Sequence, residues 1–94
     1  MISLFARHRV ADFDAWKEAF DAFVETRKSF GEKSFQIFRP EDDPNYLHLV
    51  FEWDNSENAH KFMSSPELKE TMQKAGITEA PEIVFFGETH KGTI

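Results

Sequence analysis

The sequence predicts an α+β domain, a four-stranded antiparallel sheet with its helices on one face. Three observations predict it: short runs that alternate apolar and polar residues, longer runs with helical periodicity between them, and capping or turn residues at the joints.

Residues 2–10 alternate, with Ile2, Leu4, Ala6, His8 and Val10 on one face and Ser3, Phe5, Arg7 and Arg9 on the other. That is a strand. Asp12 offers an N-cap oxygen to the free donors of a following helix. Phe13, Trp16, Phe20, Phe23 and Arg27 recur at helical spacing, so one amphipathic helix of about four turns is expected, with Gly31 ending it. Ser34 to Arg39 alternates again, and residues 40–45 (Pro-Glu-Asp-Asp-Pro-Asn) read as a turn. Tyr46 to Trp53 is a long strand with Leu47, Leu49, Phe51 and Trp53 on one face. The two strands form a hairpin. Pairing Ile37 with Leu47 and Phe35 with Leu49 gathers the aliphatic positions on one side.

Asp54 and Glu57 resemble a capping box before a short helix that turns Ala59, Phe62 and Met63 inward. Ser65-Pro66 starts another helix, with the stripe Leu68, Met72 and Ala75, and Gly76 ends it. After Pro81 a last strand is expected over 82–88. Residues 89–94 look like a polar tail of a single domain spanning 1–94. The order β-α-β-β-α-α-β is the ferredoxin-like plan with a broken second helix and sheet order 4-1-3-2.

Composition excludes several classes. The chain has 94 residues, a net charge of -6 and no cysteine. Disulfides and thiolate chemistry are therefore out, which fits a reducing cytoplasm. The Lys and Arg residues are scattered, so no nucleic-acid partner is expected. No apolar run reaches membrane-spanning length, and the N-terminal residues lack a signal-peptide pattern. A cytoplasmic location is expected.

The far face of the sheet carries Phe5, Phe38, Tyr46, His48 and Val50 among polar residues, with no helix left to cover it. A second copy packed sheet to sheet is the expected partner; a solvated face is the alternative. Eleven Phe, two Trp and one Tyr point either to a small core filled with rings or to a cavity walled by them.

Signatures for phosphate loops, nucleophile elbows, zinc helices and dinucleotides are missing. The four His residues are dispersed, and neither a metal nor a cofactor is expected. His8 stands out: it lies on an otherwise apolar face with small Ala6 two positions before it. It is either a core His satisfied by its neighbours or a group that gives, takes or shares a proton with a ligand. Trp16, Phe20, Phe23, Phe51, Trp53 and Phe62, with Phe85 or Phe86, are candidate walls or plain core. Arg27 on the inward stripe is read as reaching out of the core to an acidic neighbour, or as binding an anion. His60 is read as solvated or capping.

The stretch His8-Arg9-Val10-Ala11-Asp12-Phe13-Asp14-Ala15-Trp16-Lys17 resembles the strand-to-helix start of the antibiotic biosynthesis monooxygenase family of small dimeric α/β-barrel proteins. So do the turn at 40–45, Phe51-Glu52-Trp53-Asp54, the run from Ser65 to Gly76 and the closing Pro81-Glu82-Ile83-Val84-Phe85-Phe86. The resemblance implies two ferredoxin-like subunits joined through their sheets, each with a pocket between sheet and helices. It implies a range of activities: oxidation of polycyclic aromatics without metal or flavin, heme degradation, polyketide cyclisation and lactone isomerisation. Heme-degrading members use a first-strand Asn and a helical His. Here His8 is the nearby strand residue, and no His lies between Ser65 and Ala75, so heme is disfavoured. The expectation is a small-molecule-binding dimer similar to the cofactor-independent oxygenases, with His8 acting on an apolar aromatic or polyketide-like substrate. The alternatives are a non-catalytic or stress-related binding module and a cyclase- or isomerase-like enzyme.

Overall fold

In the computed structural model, which describes residues 1–77 and 79–94, the elements run β1 (Ile2–Arg9), α1 (Phe13–Ala22), α2 (Val24–Phe30), β2 (Glu32–Phe38), β3 (Tyr46–Trp53), α3 (Ser56–Met63), α4 (Pro66–Lys74) and β4 (Glu82–Phe86). The strands form one antiparallel sheet ordered β2-β3-β1-β4, the expected 4-1-3-2 read from the other edge. Leu4, Ala6 and His8 of β1 and Leu47, Leu49 and Trp53 of β3 are buried beneath Trp16, Phe20, Ala59, Phe62 and Ala75.

Local chemistry explains most of the element ends. The Asp12 side chain accepts from Asp14 N and starts α1. The Ser65 side chain accepts from Leu68 N, with Pro66 in the first turn of α4. Gly31 closes α2 at φ 119, a left-handed conformation that favours glycine. A Cβ there would stand 2.4 Å from Asp54 Oδ1, so the site needs glycine for space as well.

Five expectations are corrected. The single helix over 13–30 is two, broken at Phe23, whose φ -92 and ψ 5 leave the α-helical track. The break is held by Phe23 N donating to Phe20 O at 3.2 Å and by the Arg27 guanidinium donating to the same carbonyl. The hairpin pairs Ile37 with Leu49 and Phe35 with Phe51, a slip of two residues from the expected register. A slip of two keeps every side chain on its face, so alternation does not detect it. The cap of α3 is Asn55, which accepts from Asn58 N; Asp54 instead accepts from the Asn55 backbone N–H and the Asn58 side-chain amide. The last strand stops at Phe86. Arg27 does reach an acidic neighbour, Glu32, but the pair is inside the core and not outside it.

The far face is laid out in rows across the sheet. Val84, Phe5, Val50 and Gln36 form one; Phe86, Ser3, Glu52 and Ser34 the next; Glu82, Arg7, His48 and Phe38 a third. Its arginines are in ion pairs, Arg7 with Glu82 and Arg9 with Asp43 at 2.5 Å, and Glu52 accepts from the Ser3 hydroxyl at 2.6 Å. The rings and aliphatics are not covered, and Phe38, Val84 and Phe86 are 49%, 45% and 41% exposed.

Candidate functional site

Between the sheet and the helices lies a crevice of about 80 Å³ that is partly open to solvent. Strand alternation and the helix stripe supply its walls: Leu4, Ala6 and His8 from β1, Trp16, Phe20, Phe23 and Arg27 from α1–α2, Leu49, Phe51 and Trp53 from β3, Phe62 and Met63 from α3, and Leu68 and Met72 from α4. His8, Trp16, Phe20, Phe23, Phe51, Trp53 and Phe62, all named from sequence, therefore share one space. Phe85 and Phe86 do not belong to it. Phe85 stacks on His60 at 3.9 Å, and Phe86 lies on the far face; Ile83 is the wall residue of β4. A core filled to capacity predicts no void here, and a void is present.

The walls are aromatic and mutually packed. Trp16 stacks on Phe20 with ring centroids 4.8 Å apart, and Phe20 meets Phe51 at 6.2 Å. On the other side Trp53 and Phe23 meet Phe62 at 5.1 and 5.9 Å. Rings held this way are rigid and cost little further entropy when a flat molecule settles against them. The floor is less filled because Ala6 projects only a methyl group beside His8.

His8 is 6% exposed, and neither ring nitrogen has a hydrogen-bond partner among the described residues. Its ring lies 6.0 Å from that of Trp16. Burial lowers its pKa from 6.5 to about 4, so it is neutral near pH 7. A neutral imidazole offers one N–H donor and one bare nitrogen acceptor. Leaving both unpaired in an apolar wall costs about 1–3 kcal/mol per group, so the imidazole calls for a partner that the described residues do not supply. His48 is on the opposite face, paired across strands with Arg7, and its Nδ1 lies 3.0 Å from the Tyr46 carbonyl. His60 is exposed on α3 with Nδ1 2.8 Å from the Ser56 carbonyl. Among the described residues no group of three or more His, Cys, Asp or Glu is placed to hold a metal ion, and no helix is long and apolar enough to cross a membrane.

Sequence reasoning missed Glu32. Strict alternation through Phe35 and Ile37 would turn Lys33 inward. A β-bulge between Glu32 and Ser34 breaks the alternation, so Glu32 and not Lys33 stands opposite Trp53. The Glu32 carboxylate is 6% exposed and takes the Arg27 Nε–H at 3.0 Å. Arg27, 3% exposed, also lies 3.7 Å over the Phe20 ring. Burial pushes the Glu32 pKa up, and Arg27 partly offsets this. One sequence signal existed: an Arg on an otherwise apolar stripe with a Glu five residues on, across a helix-ending glycine.

A ferredoxin-like sheet with an aromatic crevice on its helix side and an apolar far face defines a class of small α+β proteins. The antibiotic biosynthesis monooxygenase family model matches residues 3–74, and the chain belongs to that family. Solved structures share the fold at low identity. The cofactor-independent oxygenase SnoaB from Streptomyces nogalater is 12% identical with a TM-score of 0.77, covering 96% of this chain and 94% of that one. An antibiotic biosynthesis monooxygenase, so named provisionally, from Nitrosomonas europaea is 19% identical with a TM-score of 0.69, covering 96% and 100%. A similarly named protein from Bordetella bronchiseptica is 21% identical with a TM-score of 0.68, covering 95% and 97%. None of the curated proteins matches the sequence.

Proposed function

We propose that the chain is a homodimeric enzyme that binds an apolar aromatic molecule in the crevice and oxidises it with dioxygen, His8 being the group that meets the reacting part of the substrate. The observation that carries this reading is the unpartnered, buried His8 imidazole in the wall of an aromatic void. Family membership and the fold shared with SnoaB, a cofactor-independent oxygenase, support it.

The chemistry asks little of the protein. A ring-activated CH₂ group loses a proton to His8, leaving a carbanion. Dioxygen bonds to that carbon and is reduced by it, and the imidazolium returns the proton to give a hydroperoxide. Loss of water leaves a carbonyl, so the substrate is the reductant and one oxygen atom leaves in water. With a pKa near 4 the empty-site imidazole is a weak base. A developing carbanion beside it favours the imidazolium and raises that pKa as the proton moves. The dry ring-lined walls keep bulk water from the carbanion.

The void is smaller than the about 300–1,000 Å³ common for drug-sized ligands. A ligand beyond a single ring needs a wall to move. α4 is the wall best suited, because it buries no residue of its own and contributes only the half-buried Leu68, Thr71 and Met72.

The sheet face formed by Phe5, Phe38, Tyr46, His48 and Val50 is the proposed dimer interface. Uncovered rings on a flat sheet, with charges already paired at the margin, suit a two-fold related copy.

The test is oxygen uptake with a panel of aromatic carbon acids under isotopically labelled dioxygen, with mass spectrometry of the product. Label in a new carbonyl is expected. His8→Leu is expected to lower turnover at least about a hundredfold, the usual scale of a lost general base. Ala6→Leu, which fills the floor of the crevice, is expected to abolish binding. Full turnover by His8→Leu removes His8 from the mechanism. The weak basicity of His8 favours a second reading, a module that holds its ligand without changing it; that reading predicts the ligand is recovered intact after prolonged incubation in air.

A further inference from the structure

The crevice has a second polar end that the reaction above does not use. Glu32 is placed there by the bulge in β2, opposite Trp53, and both residues line the same space as His8. One carboxylate oxygen, Oε2, is held by Arg27. The other, Oε1, is buried without a partner among the described residues, and so is the indole Nε1 of Trp53. Trp53 is 1% exposed and the Glu32 side chain 6%, and both atoms are shielded from bulk water.

A buried acceptor and a buried donor, side by side across two strands and both unpaired, are a costly arrangement for an empty protein. They match a single chemical group. A hydroxyl donates one hydrogen bond and accepts another, whereas an ether only accepts and a hydrocarbon does neither. Arg27 fixes the carboxylate through Oε2 while donating to the Phe20 carbonyl, so Oε1 is oriented before any ligand arrives. His8 pairs across strands with Leu47, and Glu32 pairs with Trp53 on the same strand. The two backbone rows are six residues apart along β3, on the order of 20 Å. The polar ends thus address different parts of a ligand.

We propose that Glu32 Oε1 and Trp53 Nε1–H form a specificity subsite for a phenolic hydroxyl, set by Arg27, at the end of the crevice away from His8. The proposal rests on the reading that this crevice is the ligand site. The hydroxyl donates to Glu32, accepts from Trp53 and anchors an otherwise apolar molecule.

Three single-ring probes of similar shape test it: para-ethylphenol, para-ethylanisole and ethylbenzene, titrated by calorimetry and by the indole N–H resonances. The phenol is expected to bind about tenfold more tightly than either other probe, the worth of one or two buried hydrogen bonds. The Trp53 indole resonance is expected to shift with the phenol and much less with ethylbenzene. The double variant Arg27→Met/Glu32→Leu removes the acceptor half of the subsite without stranding a charge, and is expected to bind the phenol and the anisole alike. Trp53→Phe, which keeps a ring against Phe62, is expected to lose about half the preference on a logarithmic scale and serves if the double variant does not fold. His8→Leu is expected to keep the preference. Equal binding of the probes by the unaltered protein overturns the subsite but leaves the crevice reading intact. So does a preference lost in His8→Leu and kept in the double variant. If none of the probes binds, the crevice is not a ligand site and both proposals fall together.

Discussion

His8 makes the folded chain sensitive to acid in a defined window. Its folded pKa of about 4 lies below the ordinary 6.5. Above pH 6.5 the group is neutral in both states and contributes no slope. As pH falls from 6.5 towards 4, the unfolded chain takes up a proton that the folded chain refuses, so stability falls. The loss levels off below the folded value and amounts to roughly 3 kcal/mol in all. Glu32 works in the other direction, since its raised pKa makes stability fall as pH rises through the window above 4.5. The prediction therefore concerns a difference. Urea unfolding at fixed protein concentration is expected to show His8→Leu gaining on the unaltered protein as pH drops from 6.5 to 4, and parallel curves for the two would refute the neutral, unpartnered His8. His8 was identifiable in the sequence as a polar residue on an apolar face next to a small one. Its lack of partners was not, because that depends on what every surrounding element fails to offer.

At the scale of elements, the segment from Phe20 to Glu32 joins helix, break, helix and bulge through one ion pair. Arg27 bonds the Phe20 carbonyl freed at the break and the Glu32 carboxylate turned inward by the bulge. Removing one partner leaves a buried charge alone. Arg27→Met is expected to cost about 3–5 kcal/mol, while Arg27→Met/Glu32→Leu costs far less than the two single changes added together. A double-mutant cycle in denaturant measures this, and simple additivity would mean that the two side chains act independently. Helical periodicity placed Phe13, Trp16, Phe20 and Phe23 on one stripe correctly. It passed over the break at Phe23, since a change of ψ at one residue leaves the downstream apolar spacing nearly unaltered.

For the whole molecule, the proposed dimer turns on the far face of the sheet. The row Val84, Phe5 and Val50, flanked by Phe38 and Phe86, is a continuous apolar band. A dimer through it predicts a melting temperature that rises with protein concentration. Val50→Asp places a charge at the centre of the band, away from the crevice. It is expected to give a monomer by light scattering and to remove the concentration dependence; a dimer that survives this change is built on another surface.

The chain's own order of residues determined the four strands, which side chains face the helices, most of the caps, and the grouping of His8 with Trp16, Phe20, Phe23, Phe51, Trp53 and Phe62. These follow from the two periods of polypeptide structure and from bonds made within a few residues, so they are written locally. Tertiary structure alone decided the two-residue slip of the hairpin, the inward turn of Glu32 in place of Lys33, the buried Arg27 pair and the size of the void. Each depends on how segments distant in sequence fill space against one another, and alternatives that keep the same faces differ only in that packing.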